Sequence, residues 1–257
     1  MPPRIAIVTG SDSGIGRATA VALAAAGCDV GITWHRDEQG ARETAAEVES
    51  HGRRAQVRRS DVSDVADAAA MVQELAGALG GLDVFVNNAG TGHTTPVLEV
   101  DLDEWRRVVE TDLTGAFFAA QAAARIMVAG GRGGRIVNVT SVHEHVPLKG
   151  SVAYTAAKHG LGGVTKSMAL ELAGHGITVN SVAPGEIATP MTGQPDGDPH
   201  AEDRPGVPAG RPGDAREIAA AIAYLCSPDA SYTTGASFVI DGGMLLMAAM
   251  ANQLAAD

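Results

Sequence analysis

The chain has 257 residues, of which 45% are hydrophobic and only 4% are aromatic. Its 19 Lys and Arg residues against 30 Asp and Glu residues give a formal net charge of −11, which argues against nucleic acid as a partner. Cys28 and Cys226 lack metal-ligand spacing, so we expect reduced thiols and no metal site. The N-terminus predicts no signal peptide, and no apolar run is expected to span a bilayer without interruption, so we expect a cytoplasmic protein with no membrane partner.

Short β-branched runs alternate with Ala-rich amphipathic segments along the whole chain. In chain order, this pattern predicts strands at residues 5–8, 29–34, 55–57, 82–87, 135–140, 177–182 and 237–240. Between them it predicts helices at residues 15–26, 37–50, 65–79, 103–129, 151–173 and 214–226. Alternating strands and helices favour right-handed crossovers, and therefore an α/β fold with a doubly wound parallel sheet flanked by helices. No long linker divides the chain, so residues 1–257 are predicted to form a single domain.

One segment interrupts this alternation. Residues 190–208 are rich in Pro, Gly and Asp and follow the carboxyl end of a strand, where doubly wound sheets bind ligands. A surface insertion and a mobile cover over a substrate pocket both fit this composition, and the two are compatible. We assign residues 188–212 as the candidate substrate loop.

A glycine-rich turn joins the first strand to the first helix, with the spacing G-x-x-x-G-x-G. Glycines allow a sharp turn close to a pyrophosphate, and the start of a helix supplies free N–H donors. The alternative is a tight turn that binds nothing. The residues predicted to contact a ligand that carries a pyrophosphate are Gly10, Ser13, Gly14, Ile15 and Gly16.

Later strand ends carry further candidates, each of which alone is more often a turn or a helix cap. Because parallel strands end at one edge of a sheet, we expect these residues to line a single ligand site. They are Asp61 and Val62 after the third strand, Asn88, Ala89 and Gly90 after the fourth, and Pro184, Gly185, Ile187 and Thr189 after the sixth.

Ser141, Tyr154 and Lys158 form a candidate reaction centre. Tyr154 and Lys158 are spaced i and i+4, so they share one helix face, and Ser141 follows the fifth strand. A lysine cation close to a tyrosine favours the tyrosinate, which can act as a general base. Without their context, the three residues would fit better with an exposed amphipathic helix and an ordinary strand end.

Taken together, the order and spacing of these motifs resemble the short-chain dehydrogenase/reductase family over about residues 4–244. The resemblance implies a single dinucleotide-binding and catalytic domain, a Rossmann-type sheet of about seven strands, a nicotinamide cofactor and often a homotetramer or homodimer. It also implies that Tyr154 is the general acid/base, that Ser141 holds the substrate oxygen, and that Tyr154 and Lys158 contact the cofactor. The family's fourth catalytic residue is usually an asparagine, and Asp112 stands in its place.

The end of the second strand bears on cofactor choice. Arg36 could pair with a 2′-phosphate, and His35 stands where members that prefer NAD usually carry an acidic residue. Ser13 stands where many members that prefer NADP have a second basic residue. Ser13 thus counts against NADP(H), but on the strength of Arg36 and His35 we favour NADP(H) and keep NAD(H) open.

The resemblance implies a small carbonyl compound or alcohol as the substrate. The run from Ser141 to Glu144 and the run from Asp241 to Met244 resemble bacterial glucose dehydrogenases and the related carbonyl reductases, although residues 91–95 lack the acidic residue of the glucose enzymes. A ketone, a diketone or an oxoacyl thioester also remains open. His143, Glu144 and Met191 are the substrate candidates, although His143 and Glu144 could equally face water.

Two further expectations concern the whole protein. A cofactor sensor or scaffold on the same fold is the alternative to an enzyme, but such proteins usually lose the tyrosine or the lysine. The apolar tail at residues 244–250 predicts a subunit interface.

Overall fold

The computed structural model describes residues 4–92, 94–193 and 198–247. Its strands are β1 (Arg4–Val8), β2 (Cys28–Trp34), β3 (Ala55–Arg59), β4 (Val84–Asn87), β5 (Gly134–Val139), β6 (Ile177–Pro184), β7 (Ile187–Ala188), β8 (Gly213–Asp214) and β9 (Ser237–Ile240). Its α-helices are α1 (Gly14–Ala25), α2 (Glu38–Ser50), α3 (Val65–Leu79), α4 (Leu102–Val109), α5 (Ala116–Gly130), α6 (Val152–Leu172) and α7 (Ala215–Cys226).

Seven strands form one parallel sheet in the order β3-β2-β1-β4-β5-β6-β9. The predicted Rossmann-type α/β fold is therefore confirmed. The strand order reverses at β1, since β2 and β3 lie on one side of it and β4 on the other. Such a reversal opens a crevice at the carboxyl ends of the strands, where doubly wound sheets bind ligands.

The alternation of side chains along β1 shows how the sheet is buried on both faces. Ile5 and Ile7 pack into the apolar cluster that contains α3 and α5. Ala6 and Val8 pack into the opposite cluster, which contains α1 and α7. Because each residue of such a central strand faces one helix layer or the other, β1 reads as a continuous apolar run rather than as an alternating one.

The predicted helix at residues 103–129 is three joined pieces. A π-helical turn at Glu110–Gly115 separates α4 from α5 and buries Asp112. Such turns widen a helix locally and are frequent at functional sites. Gly115 is required in this turn, because a Cβ there would lie 1.7 Å from the carbonyl oxygen of Val62.

The same helical stretch bears on the expectation that no apolar run spans a bilayer. It runs 29 residues from Leu102 to Gly130 and contains an 18-residue window with a mean hydropathy of 1.3, so by length and composition alone it could cross a membrane. Ala119, Ala123 and Met127 are nevertheless buried against the sheet. Such burial is typical of a core helix in a doubly wound fold.

The candidate substrate loop leaves and rejoins the fold through a second, two-stranded sheet. Ile187 pairs with Gly213 in the parallel β7–β8 ladder. Short 3-10 turns at Pro190–Thr192 and Pro199–Ala201 lie between the two strands, and neither turn was expected from the sequence. Part of the loop, residues 194–197, lies outside the described residues.

Candidate active site

The glycine-rich turn brings backbone close to backbone. Gly10 and Gly14 have φ values of 59° and 52°, in the left-handed region that favours glycine. A Cβ on Gly16 would lie 2.1 Å from the carbonyl oxygen of Gly10. No side chain fits there, so the first turn of α1 closes directly over the loop.

Asn88 ties this turn to the end of β4. Its Nδ2 donates to the carbonyl oxygens of Thr9 and Gly10, at 3.0 and 2.9 Å. In return, the Thr9 hydroxyl accepts hydrogen bonds from the backbone N–H groups of Asn88 and Ala89. The side-chain amide of Asn88 therefore serves to hold the turn in place. Sequence reasoning missed Thr9, whose buried place directly before Gly10 was the available signal.

The start of α1 suits an anion such as a pyrophosphate. Ser13 is the N-cap residue, its side chain makes no capping hydrogen bond, and the first turn carries no acidic residue. The first N–H groups of a helix have no intrahelical acceptor. Thr189 also lies here, because a Cβ on Gly14 would meet its methyl group at 3.2 Å. The glycine turn and the strand end after β6 thus meet, and the cradle fits a dinucleotide phosphate.

The end of β2 carries charges of both signs. The His35 Nε2 lies 3.6 Å from Asp61 Oδ2, so these two candidates meet across the ends of β2 and β3. Asp61 also accepts hydrogen bonds from the Ser63 hydroxyl and N–H, which hold the pKa of Asp61 below its usual value. Arg36 is exposed and makes no hydrogen bond or ion pair within the described part of the chain. Asp37, its neighbour, caps α2 by accepting from the N–H of Gly40.

Lys158 and Asp112 form a buried ion pair. Lys158 Nζ lies 3.2 Å from Asp112 Oδ2, donates to the carbonyl oxygen of Val139 at 3.3 Å, and lies 5.3 Å from the ring centroid of Tyr154. Burial disfavours its charge, but Asp112 and Tyr154 outweigh that cost and raise the pKa of Lys158. The N–H of Thr91 donates to Asp112 Oδ1 at 2.8 Å and supports the carboxylate.

Close packing links the phosphate turn to this ion pair. A Cβ on Gly10 would lie 3.0 Å from the Cα of Ala89. A Cβ on Gly90 would lie 3.1 Å from Asp112 Oδ2 and 3.5 Å from Lys158 Nζ. The sequence-predicted residues after β1 and β4 are therefore brought together with Asp112 and Lys158 at one edge of the sheet.

Ser141 begins a short 3-10 turn, Val142–Glu144, directly after β5. Ser141 is buried as a residue, and its Oγ accepts from the N–H of His143 at 3.2 Å, which fixes the serine rotamer. The imidazole of His143 lies edge-on to the ring of Tyr154, with ring centroids 6.1 Å apart. Ser141, His143 and Tyr154 thus share one side of the site.

Glu144 does not face the substrate side of the site, so that expectation is corrected. Its carboxylate is buried and accepts hydrogen bonds from the hydroxyls of Thr140 at 2.6 Å, Ser181 at 3.1 Å and Ser237 at 3.1 Å. These hydroxyls belong to β6, β9 and the end of β5. Glu144 therefore anchors the Ser141 turn to three neighbouring strands.

The remaining candidates lie at the ends of β3 and β6 or in the substrate loop. Val62 backs the π-helical turn through its carbonyl oxygen. Gly185 packs against Asp241, where a Cβ would lie 2.8 Å from the Cα of that residue. Pro184 and Ile187 are buried beside it, whereas Met191 is 64% exposed. Among the described residues, no group of acidic, histidine or cysteine side chains is arranged to hold a metal ion.

Comparison with known proteins agrees with this geometry. A family model described as enoyl-(acyl carrier protein) reductase matches residues 10–245. The "Uncharacterized oxidoreductase YohF" of Escherichia coli (strain K12) is 52% identical over 243 residues, which are 95% of this chain and 96% of that protein. The chain belongs to the short-chain dehydrogenase/reductase family.

Solved structures of the family include two with high similarity. The acetoin dehydrogenase from Enterobacter cloacae is 54% identical with a TM-score of 0.89, and the match covers 95% of this chain and 96% of that one. The acetoin dehydrogenase YohF from Salmonella typhimurium is 51% identical with a TM-score of 0.89, with 95% and 98% covered. As a family member, the protein is an oxidoreductase that transfers a hydride between a nicotinamide cofactor and a carbonyl or secondary alcohol.

Proposed function

We propose that this enzyme interconverts small hydroxyketones or diketones and their alcohols, with acetoin as the model substrate, and that it prefers NADP(H). The two acetoin dehydrogenases that share more than half of their residues with the chain support this substrate class. A sugar substrate has less support. Glu144 is the acidic residue that could have bound sugar hydroxyls, but its carboxylate accepts hydrogen bonds from Thr140, Ser181 and Ser237 instead.

The observation that carries the proposed chemistry is the juxtaposition of Tyr154 with the buried Lys158–Asp112 pair. In the proposed reduction, the hydroxyls of Ser141 and Tyr154 donate hydrogen bonds to the substrate oxygen, and Tyr154 passes its proton to that oxygen. Lys158 stabilises the phenolate left behind, Asp112 holds Lys158, and solvent restores the proton. The nicotinamide supplies the hydride in this direction and accepts it in the reverse direction.

The proposed cofactor site follows the residues that meet at the sheet edge. The pyrophosphate is held by the glycine-rich turn, which comprises Gly10, Ser13, Gly14, Ile15 and Gly16, and Thr189 lies against this turn. Asp61 and Val62 flank the adenine, while Asn88, Ala89, Gly90, Pro184, Gly185 and Ile187 border the rest. Arg36 supports a 2′-phosphate, because its guanidinium has no partner in the described part of the chain. Asp37 is occupied in capping α2, which leaves it a weaker ligand for the free ribose of NAD.

The proposal assigns residues 188–212 as a cover for the substrate, within one domain over residues 1–257. Both ends of this loop are fixed by the β7–β8 pair. Within the loop, Arg204 Nε donates a hydrogen bond to Glu186 Oε1, just before β7, at 2.7 Å. Met191, which is 64% exposed on the loop, is the residue proposed to contact substrate. A fixed base with an exposed apolar side chain suits a segment that closes over a small ligand.

The proposal includes a homotetramer, or a homodimer, in the cytoplasm. An apolar groove runs between α5 and α6 and is lined by Phe117, Val128, Val164 and Leu172. Leu246 is 86% exposed at the start of the tail, whose residues 248–250 lie outside the described residues. Both surfaces suit subunit contacts. Light scattering is expected to give the mass of four or two chains, and the mass of one chain would contradict the assembly.

The test of this function is turnover measured by nicotinamide absorbance. For reduction, NADPH and NADH are each offered with diacetyl, acetoin and acetoacetyl thioester; for oxidation, NADP+ and NAD+ are each offered with butane-2,3-diol and glucose. We expect the four-carbon substrates to be used best and NADPH to give the higher kcat/KM. Folded protein that binds the cofactor but turns over glucose or the thioester best would contradict the substrate class. Folded protein that binds cofactor without turning over any substrate would favour the sensor alternative.

A further inference from the structure

His143 has a defined tautomer. Its Nδ1 lies 3.1 Å from the carbonyl oxygen of Val146. A carbonyl oxygen can only accept, so Nδ1 carries the hydrogen and donates it. Burial lowers the pKa of His143, which keeps the imidazole neutral near pH 7. The Nε2 atom is consequently a hydrogen-bond acceptor with a free lone pair.

This acceptor has no partner in the parts of the chain that the structure describes. The Val146 contact uses Nδ1, and the contact with Tyr154 is between ring edge and ring face. His143 is only half-buried. Its Nε2 has no partner among the described residues and is not one of the buried unpaired atoms, so this nitrogen is accessible. An accessible acceptor beside the proposed acid/base residue is free to bind part of a substrate.

The groups around His143 leave its Nε2 as an acceptor for substrate. On the same turn, Glu144 is turned away toward Thr140 and Ser181. On α6, Tyr154 faces the ring, and His159 contributes a repulsion that also lowers the pKa of His143. Lys158 is paired with Asp112 deeper in the site.

We propose that His143 Nε2 accepts a hydrogen bond from a hydroxyl on the carbon next to the reacting carbon. The enzyme then selects hydroxyketones and vicinal diols over plain ketones and diketones. Tyr154 takes the reacting oxygen, and the imidazole beside it meets the neighbouring oxygen of a small substrate. A diketone offers no proton to Nε2, and a plain ketone offers no second oxygen, so both leave this acceptor unpaired. The inference rests on the proposed function.

The test uses three four-carbon substrates with one skeleton: acetoin, diacetyl and butan-2-one. The kcat/KM for reduction of each is measured with wild type, His143→Phe and His143→Gln. Phenylalanine keeps an aromatic edge beside Tyr154 and removes the acceptor, whereas glutamine restores an acceptor and adds a donor. We expect the acetoin/butan-2-one ratio to fall about tenfold in His143→Phe, and to recover at least partly in His143→Gln. The acetoin/diacetyl ratio is expected to fall in both variants, because glutamine can also donate to a diketone.

Unchanged ratios in folded His143→Phe would overturn this inference while leaving the proposed function intact. Failure of the proposed function has a different signature, namely no reduction of any of the three substrates by wild type. A second readout is pH: protonated His143 donates from Nε2, so the preference for acetoin over diacetyl is expected to weaken as pH falls in wild type. A similar weakening in His143→Phe would also contradict the assignment.

Discussion

Asp112 Oδ2 lies 3.2 Å from Lys158 Nζ, and both side chains are almost fully buried, with 0% and 5% of their areas exposed. A buried lysine opposite a carboxylate keeps its charge but presents little net charge to its surroundings. Tyr154, whose ring centroid lies 5.3 Å from Nζ, therefore faces a compensated cation. The neutral asparagine usual in this family would leave that cation uncompensated.

The first prediction concerns Asp112→Asn. Removing the negative charge leaves a net positive charge beside Tyr154, which favours its anionic form. The pH at half-maximal alcohol oxidation is expected to move toward lower pH. The measurement is a pH profile of kcat/KM for oxidation of butane-2,3-diol. The sign follows because oxidation needs the deprotonated base and rises with pH.

The matched control is Asp83→Asn, which removes the same charge at the opposite edge of the sheet. There Asp83 accepts from the N–H of Ile5 and pairs with Arg132. The pH at half-maximal alcohol oxidation by Asp83→Asn is expected to stay at the wild-type value. A wild-type midpoint in Asp112→Asn itself would show that the carboxylate adds nothing to the tuning of Tyr154.

The second prediction concerns the phosphate turn. Gly16→Ala places a methyl group 2.1 Å from the Gly10 carbonyl oxygen, so the turn must open. We expect the Kd for NADPH, measured by fluorescence, to rise at least about tenfold and the Tm to fall. Gly77→Ala is the control, because that helical glycine has nothing within 4 Å of a new Cβ. It should leave cofactor binding unchanged and raise stability by roughly 0.5–1 kcal/mol. Equal Kd values for the two variants would refute the role of the turn.

The third prediction concerns Arg36→Ser. If the exposed guanidinium binds the 2′-phosphate, its loss raises KM for NADPH about tenfold and leaves KM for NADH nearly constant. The check is a pair of saturation curves at fixed acetoin. The control variant is Arg42→Ser. Arg42 lies on α2 and pairs with Glu38, four residues before it. A parallel change in both KM values for Arg36→Ser would remove this residue from cofactor discrimination.

The fourth prediction concerns Glu144. Glu144→Ala leaves the hydroxyls of Thr140, Ser181 and Ser237 without their shared acceptor, so the free energy of unfolding is expected to fall by about 2 kcal/mol. Glu144→Gln keeps an acceptor oxygen and should lose less. Urea unfolding measures both, with exposed Glu49→Ala as the control. An alanine variant as stable as wild type would mean that water replaces the carboxylate without cost.

The sequence predicted most of the fold because its signals are local. Apolar strands such as β1 and amphipathic helices such as α1 follow from spacing, and parallel order follows from the alternation. The π-helical turn at Glu110–Gly115 was not predictable in this way. Its cause is a distant contact, since the carbonyl oxygen of Val62 excludes any side chain at Gly115.

The candidate site shows the same division. The places of Gly10, Tyr154 and Lys158 could be inferred because each follows a strand or helix spacing. The direction of Glu144 could not, since three hydroxyls from separate strands decide it. The Asp112–Lys158 pair likewise depends on the widened helix, which places Asp112 in the interior.

The central claim is that Tyr154 transfers the proton, and Tyr154→Phe tests it most directly. The variant keeps the ring that packs on His143 and Lys158 but has no hydroxyl. Turnover of acetoin is followed by NADPH absorbance, and NADPH binding is measured in parallel by fluorescence. The role of Tyr154 as proton donor predicts at least a hundredfold loss of kcat with cofactor Kd within about threefold of wild type. Turnover near the wild-type rate in folded Tyr154→Phe would contradict it.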